Sequence, residues 1–170
     1  MFYYNKFLSI IKSLMTTLPK FLIFTGACVA LIFYHFAALD NPRLETLGPG
    51  QFRIYSREDI TSPLIYNRIS IATGFIYVTC STNAPQLRQK FTHIDGESIT
   101  LSTPKTARQV LSQLGHHKVE QHISSVMTTT YAHSNRARAF ITSGSNRINL
   151  QIIERDGVTT VGWPVILMGS

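Results

Sequence analysis

Residues 147–167 read RINLQIIERDGVTTVGWPVIL, which is the clearest local pattern of β-structure in the chain. Ile148, Leu150 and Ile152 alternate with other residues, which is the pattern of a half-buried strand. Asp156–Gly157 is a preferred two-residue hairpin turn. The second arm continues with an alternating set formed by Val161, Trp163, Val165 and Leu167. The sequence therefore predicts an antiparallel β-hairpin near the end of the chain.

Pro164 lies inside the second arm of this hairpin. Its nitrogen carries no hydrogen, so it cannot donate to a strand ladder. The sequence predicts that this arm lies at an edge of the sheet, or that the Pro164 side faces away from the ladder. Trp163 beside it is then either a large anchor for a partner at a free edge or an ordinary core residue.

Further strands are predicted upstream, where β-branched and aromatic residues are concentrated between turn formers. They cover residues 51–56, 64–81, 97–102, 117–126 and 127–133, and Gly74 divides the second of these segments into two strands. Residues 143–146, SGSN, predict a turn.

Two helices are predicted between these strands. The first has Asn83 as its N-cap and Pro85 in its first turn, ends at Asp95–Gly96, and presents Leu87, Phe91 and Ile94 on one face. The second has Thr103 as its N-cap, ends at Gly115, and presents Ala107, Val110, Leu111 and Leu114 on one face.

The element pattern predicts an α+β fold. We expect one small domain over residues 51–170, with two helices packed on one face of a mostly antiparallel sheet of about five to seven strands.

Residues 21–39 form an uncharged apolar run of nineteen residues between Lys20 and Asp40. As a helix it would be about 28 Å long, close to the thickness of a bilayer core. We predict a retained transmembrane helix. A cleaved signal peptide is an alternative, but twenty residues precede the run and its exit is a poor cleavage site. Lipid attachment at Cys28 is another, but apolar residues continue past it.

The flanks of this run predict its orientation. Residues 1–20 contain three lysines and no acid, and their apolar spacing indicates an amphipathic segment on the cytoplasmic surface. A frayed N-terminal extension of the membrane helix is the alternative. Positive flanks stay in the cytoplasm, so we expect the N-terminus inside and the C-terminus outside, with residues 40–50 as a linker.

The charge of the outer region indicates the class of partner. Residues 40–170 hold thirteen of the sixteen Lys and Arg and all nine acids, which gives 13 − 9 = +4. No dense basic stripe is present, so we expect membrane lipid and a protein partner and no nucleic acid. Cys80 is the only outer cysteine, which excludes an intrachain disulfide there.

No pattern in the outer region predicts catalysis, a cofactor or a metal. It has no Gly-x-Ser-x-Gly elbow, and six residues of strand would place His116 and His122 about 20 Å apart, too far to share one ion. The candidate contact surface consists of His133, Ser134, Arg136, Arg138 and Trp163. We expect a domain for protein–protein interaction or envelope assembly, with a hydrolase-like envelope enzyme as the alternative.

Overall fold

Eight antiparallel strands form the main sheet of this protein. The computed structural model describes residues 42–135 and 140–164. The strands are β1 (Gly50–Ser56), β2 (Asn67–Ile71), β3 (Gly74–Cys80), β4 (Gly96–Leu101), β5 (His117–Ile123), β6 (Met127–His133), β7 (Ile141–Ser143), β8 (Asn146–Ile148), β9 (Leu150–Arg155) and β10 (Val158–Trp163). The helices are a 3₁₀ turn (Leu44–Leu47), α1 (Ala84–Arg88) and α2 (Ala107–Leu114).

The strand order in the main sheet is β2-β3-β1-β4-β10-β9-β6-β5, while β7 and β8 form a separate two-stranded hairpin. The α+β class with a large antiparallel sheet and two helices is therefore confirmed. The main sheet is larger than predicted, because the segments that the sequence indicated pair into one continuous ladder.

The hairpin predicted at residues 147–167 is present as β9 and β10. Val158 lies opposite Arg155, and the turn residues Asp156 and Gly157 have φ of 50° and 74°. The edge position predicted for its second arm is wrong, because β10 pairs with β4 on one side and β9 on the other. The strand ends at Trp163, so Pro164 follows the ladder and its missing N–H removes no strand hydrogen bond.

The core lies on one face of the sheet. Strand residues such as Phe52, Ile99 and Ile152 form one buried cluster with side chains of both α-helices, namely Ala84 and Leu87 from α1 and Ala107 and Val110 from α2. Phe52 lies opposite Ile99, and opposite residues of an antiparallel pair point to the same side. Both described α-helices thus pack on this core face, as predicted.

The first helix is shorter than predicted. It ends at Arg88, and the N–H groups of Lys90 and Phe91 then bond carbonyls only three residues back, which is a tighter turn than an α-helix. Phe91 and Ile94 still pack against the core, and the Phe91 ring lies 5.2 Å from that of Tyr77. The apolar spacing of Phe91 and Ile94 therefore reflects their packing against the core after the helix has ended.

The second helix begins three residues later than predicted. Thr106, and not Thr103, is the N-cap: its hydroxyl accepts from the Gln109 N–H, and the Gln109 side chain accepts from the Thr106 N–H. This reciprocal capping box stabilises the first turn. The end at Gly115 is confirmed, with φ of 67°.

The predicted amphipathic segment (1–20) and transmembrane helix (21–39) lie outside the described residues. Within residues 42–135 and 140–164, no helix is both long and apolar enough to cross a bilayer. Leu44 and Leu47 of the 3₁₀ turn are fully buried, so the core already includes part of the segment that we predicted as a linker.

Candidate functional site

The contact surface proposed from the sequence is divided by the structure. Arg136 and Arg138 lie outside the described residues. His133 is half-buried at the end of β6, where its Nε2 lies 2.9 Å from Asn135 Oδ1. Ser134 is only 4% exposed. Of the two residues, only His133 therefore presents a substantial surface to a partner.

Ser134 is held in place by Asn149, a fully buried residue between β8 and β9. The Ser134 N–H donates to Asn149 Oδ1 at 3.0 Å, and Asn149 Nδ2 donates to the Ser134 carbonyl at 2.7 Å. The amide side chain thus satisfies both backbone groups of Ser134, as one residue of a strand would. Both polar atoms of the Asn149 side chain are used in these two hydrogen bonds, so its role is structural.

Trp163 lies in the core, 3% exposed, which corresponds to the core-packing alternative that the sequence left open. It is opposite Glu97 of β4, and its indole N–H is buried without a hydrogen-bond partner among the described residues. The unpaired sheet edges are instead β2 and β5, at the two ends of the strand order.

The face opposite the helices, which we call the open face, carries polar side chains beside the buried apolar residues Val78 and Ile153. The strand register identifies its residues. Arg53 of β1 lies opposite Ser98 of β4, and Thr100, two residues further along β4, lies opposite Thr160 of β10. Gln151 and Tyr131 continue this face on β9 and β6. All but Ser98 of these polar side chains are half-buried, so they offer hydrogen-bonding groups at the surface.

Arg53 is the cation at the centre of this open face. Its Nη2 donates to Gln51 Oε1 at 2.6 Å and its Nη1 donates to Thr100 Oγ1 at 3.2 Å. Thr100 Oγ1 in turn lies 3.2 Å from Thr160 Oγ1. Both acceptors of Arg53 are neutral, and within the described parts of the chain no carboxylate pairs with it. Its position is therefore fixed without a carboxylate partner in that part of the chain.

Two other basic side chains on the described part of this face, Arg155 and His122, each lie beside a carboxylate. Arg155 Nε lies 3.3 Å from Asp156 Oδ2, and His122 Nε2 lies 2.8 Å from Glu120 Oε1. Arg53 therefore makes the centre of this face positive, and a carboxylate or phosphate is the group that would complement it. A guanidinium favours such groups because it can bond two of their oxygens together.

Arg88, on the core face, contrasts with Arg53 because it is fully paired. It donates to both carboxylates of Glu45 and Glu97, at 2.7–3.0 Å. Burial works to lower the pKa of Arg88, but the two carboxylates outweigh it and raise that pKa. This cluster connects the 3₁₀ turn, α1 and β4. Its charged groups bond one another, so we do not assign it to partner binding.

Cys80, at the end of β3, has a thiol whose pKa is lowered by its neighbours. Its Sγ lies 2.9 Å from Thr82 Oγ1, and hydrogen bonds from Thr82 and then Tyr66 lower the thiol pKa to about 7. Tyr66 lines a surface cavity of about 400 Å³ together with Asn67 and Arg68. No described histidine or carboxylate bonds Cys80, so a general base is missing from its surroundings.

The histidines are not arranged as a metal site in the described chain. Across residues 42–135 and 140–164, no group of three His, Cys, Asp or Glu residues could hold an ion. His116 is buried, and its ring Nδ1 bonds the Leu114 carbonyl at 3.0 Å. His122 is exposed on β5.

Sequence reasoning missed both Arg53 and Cys80 as site residues. The signal for Arg53 was present, because it alternates with Phe52 and Ile54 in QFRIYS and so had to lie on the face opposite the core. Which side chains lie beside Arg53 depends on its pairing with β3 and β4, and the local sequence does not predict that pairing.

Comparison with known proteins gives no further guide to function. No family model, no curated protein and no solved structure matches this chain. The candidate site therefore depends on its own geometry.

Proposed function

We propose that this chain is a single-pass membrane protein that presents an extracytoplasmic α+β domain to a protein partner, alone or within an envelope assembly. The uncharged run at residues 21–39 and the three lysines before it support the membrane topology. In this topology the N-terminus is cytoplasmic and the folded domain lies outside.

The observation that supports partner binding is that Arg53, on the open face, has no carboxylate partner in the described chain. In the described chain both α-helices pack on the core face, and half-buried polar side chains of five strands, β1, β4, β10, β9 and β6, lie on the open face. A partner carboxylate placed on Arg53 would gain a charge-assisted hydrogen bond to an already positioned guanidinium. We therefore propose that the partner presents an acidic side chain here, and His133, Arg136 and Arg138 stay predicted contacts outside this centre.

A hydrolase-like envelope enzyme is the second candidate, and Cys80 is the observation that favours it. A thiol with a pKa near 7 is substantially ionised at neutral pH, and the thiolate is the nucleophilic form. Acyl transfer also needs a proton acceptor and an oxyanion site. Cys80 has neither among its described hydrogen bonds, so binding is the better supported function.

The test is site-specific photocrosslinking of the full-length protein in its native membrane. A photoreactive residue replaces Gln51 on the open face or, as a control, Ser112 on the exposed side of α2. We expect a discrete crosslinked protein from position 51 and none from position 112. Arg53→Gln should abolish that product, whereas Arg108→Gln on α2 should leave it unchanged.

Equal crosslinking from both positions, or a product from position 51 that survives Arg53→Gln, would contradict docking at Arg53. Membrane topology is tested separately by adding protease to intact cells. Protection of the folded domain from the protease would contradict its placement outside the membrane.

A further inference from the structure

Three large apolar side chains that are exposed to solvent lie at one end of the main sheet. They are Ile123, Val126 and Val158, with 75%, 63% and 44% of their surface exposed, and we call them the tip patch. Other large exposed apolar residues in the described chain are elsewhere: Tyr66 precedes β2, and Phe140 and Ile141 lie at the β7–β8 hairpin.

The strand register places the three residues of the tip patch at one end of the sheet, with Ile123 and Val158 on opposite faces. Ile123 ends β5 and Val126 immediately precedes β6. The first residue of β6, Met127, lies opposite Arg155 of β9, and Arg155 lies opposite Val158 of β10. These four strands are consecutive in the sheet, and neighbouring strands are about 4.8 Å apart, so the patch spans roughly 15 Å.

Charged groups border the tip patch. Val158 lines a surface cavity of about 310 Å³ together with Lys105, Arg155, Glu154 and Asp156. The Lys105 ammonium bonds Gln113 Oε1 at 2.8 Å and has no carboxylate partner in the described chain. Apolar side chains beside groups of both signs match a phospholipid surface, which offers acyl chains, phosphates and, in zwitterionic lipids, ammonium groups.

The length of the connecting chain makes lipid the expected occupant. The predicted transmembrane helix ends at Leu39, and the described chain begins at Pro42, only three residues later. Three residues extend at most about 11 Å, so a surface of this domain must lie at the bilayer if the anchor is retained. An apolar patch pointing to water would be costly there, and shallow insertion removes that cost.

We propose that the tip patch inserts into the lipid headgroup layer on the outer side of the membrane. Insertion orients the sheet so that the hairpin ends of β5–β6 and β9–β10 face the bilayer. The proposal rests on the membrane anchor of the proposed function and does not depend on Arg53 or on any protein partner.

The test uses the full-length chain, with Cys28→Ala and Cys80→Ala, reconstituted in vesicles of mixed anionic and zwitterionic phospholipid. A small environment-sensitive fluorophore is attached at Val126→Cys or, as a control, at Ser145→Cys in the β7–β8 turn. That turn leads into the Leu150 end of β9, about 17 Å from the Arg155 end. Emission is then measured with nitroxide-labelled lipid and with iodide in water.

We expect lipid-borne nitroxide to quench the label at position 126 and leave the label at position 145 unchanged, while iodide shows the reverse. Iodide quenching of both labels, in protein that resists alkaline extraction, would overturn insertion and leave the anchor intact. Protection of position 126 from both quenchers would also overturn it, because a protein or a second copy would then cover the patch. Release of the protein by alkaline extraction would refute the anchor and this inference together.

Discussion

Arg88 and Glu97 form a two-point ion pair across the core face: Arg88 Nε and Nη2 donate to the two Glu97 oxygens at 2.7 and 2.9 Å. The Glu97 side chain is 2% exposed, and Arg88 also lies over the Phe52 ring, 5.8 Å from its centroid. Burial raises the pKa of Glu97, while Arg88 opposes that rise. The pair therefore matters most to stability when the carboxylate stays charged.

Arg88→Met should lower the free energy of unfolding by about 3–5 kcal/mol near neutral pH, because it leaves a buried carboxylate without its cation. Unfolding by denaturant of the purified full-length protein can be followed through Trp163, the only tryptophan in the chain. Arg57→Met is the matched control, since Arg57 is largely exposed and lies 3.6 Å from Asp95. A loss of similar size in both variants would contradict a special role for Arg88.

Asn149→Ala should lower the free energy of unfolding by about 1–3 kcal/mol, because it removes the two buried hydrogen bonds between the Asn149 side chain and the backbone of Ser134. The same denaturation experiment measures it. Asn146→Ala removes an amide from an exposed position of β8 and should change stability little. If Asn149→Ala matched that control, the Ser134 groups would have to find other partners.

His116 predicts a loss of stability in mild acid. Burial lowers its pKa below the ordinary value, and the nearby His133 and His117 add to that effect against the opposing Leu114 carbonyl. The unfolded chain therefore binds a proton on this ring at a pH where the folded chain does not. The contribution is complete above about pH 6.5 and is lost as pH falls through the lower folded pKa.

The corresponding experiment measures the unfolding midpoint at several pH values between about 7.5 and 5.5. His116→Leu should flatten the decline with falling pH, and His117→Leu, at the neighbouring exposed position, should preserve most of it, because His117 is the smallest of the causes that lower the His116 pKa. An unchanged slope in His116→Leu would show that other groups govern the acid response.

Cys80 should react with iodoacetamide with a half-maximal rate near pH 7, lower than the value of about 8.5 for a free thiol. A Cys28→Ala background leaves Cys80 as the only thiol. Thr82→Val removes the strongest hydrogen bond to the sulfur and should move the profile to higher pH, and Tyr66→Phe should move it less. A profile that Thr82→Val leaves in place would refute this hydrogen bond as the cause.

Local patterns were sufficient for much of the fold. The strand segments, the division at Gly74 and the Asp156–Gly157 turn depend on alternation and turn chemistry within a few residues. Helix starts were less well predicted, because Asn83 makes no side-chain cap bond and Thr106 was a better cap than Thr103. Several residues can cap in one loop, and packing selects among them.

Patterns among neighbouring residues were enough to predict an antiparallel α+β domain after an uncharged apolar run, since periodicity, turn residues and charge are local properties. The three-dimensional pairing of strands was needed to show that β10 is central, and that Arg53 bonds Thr100, forty-seven residues away, with no acidic partner in the described chain. It also decided that Ile123 and Val158 share one end of the sheet. Pairing between distant strands sets these relationships, and the period of a single strand carries no information about its neighbour.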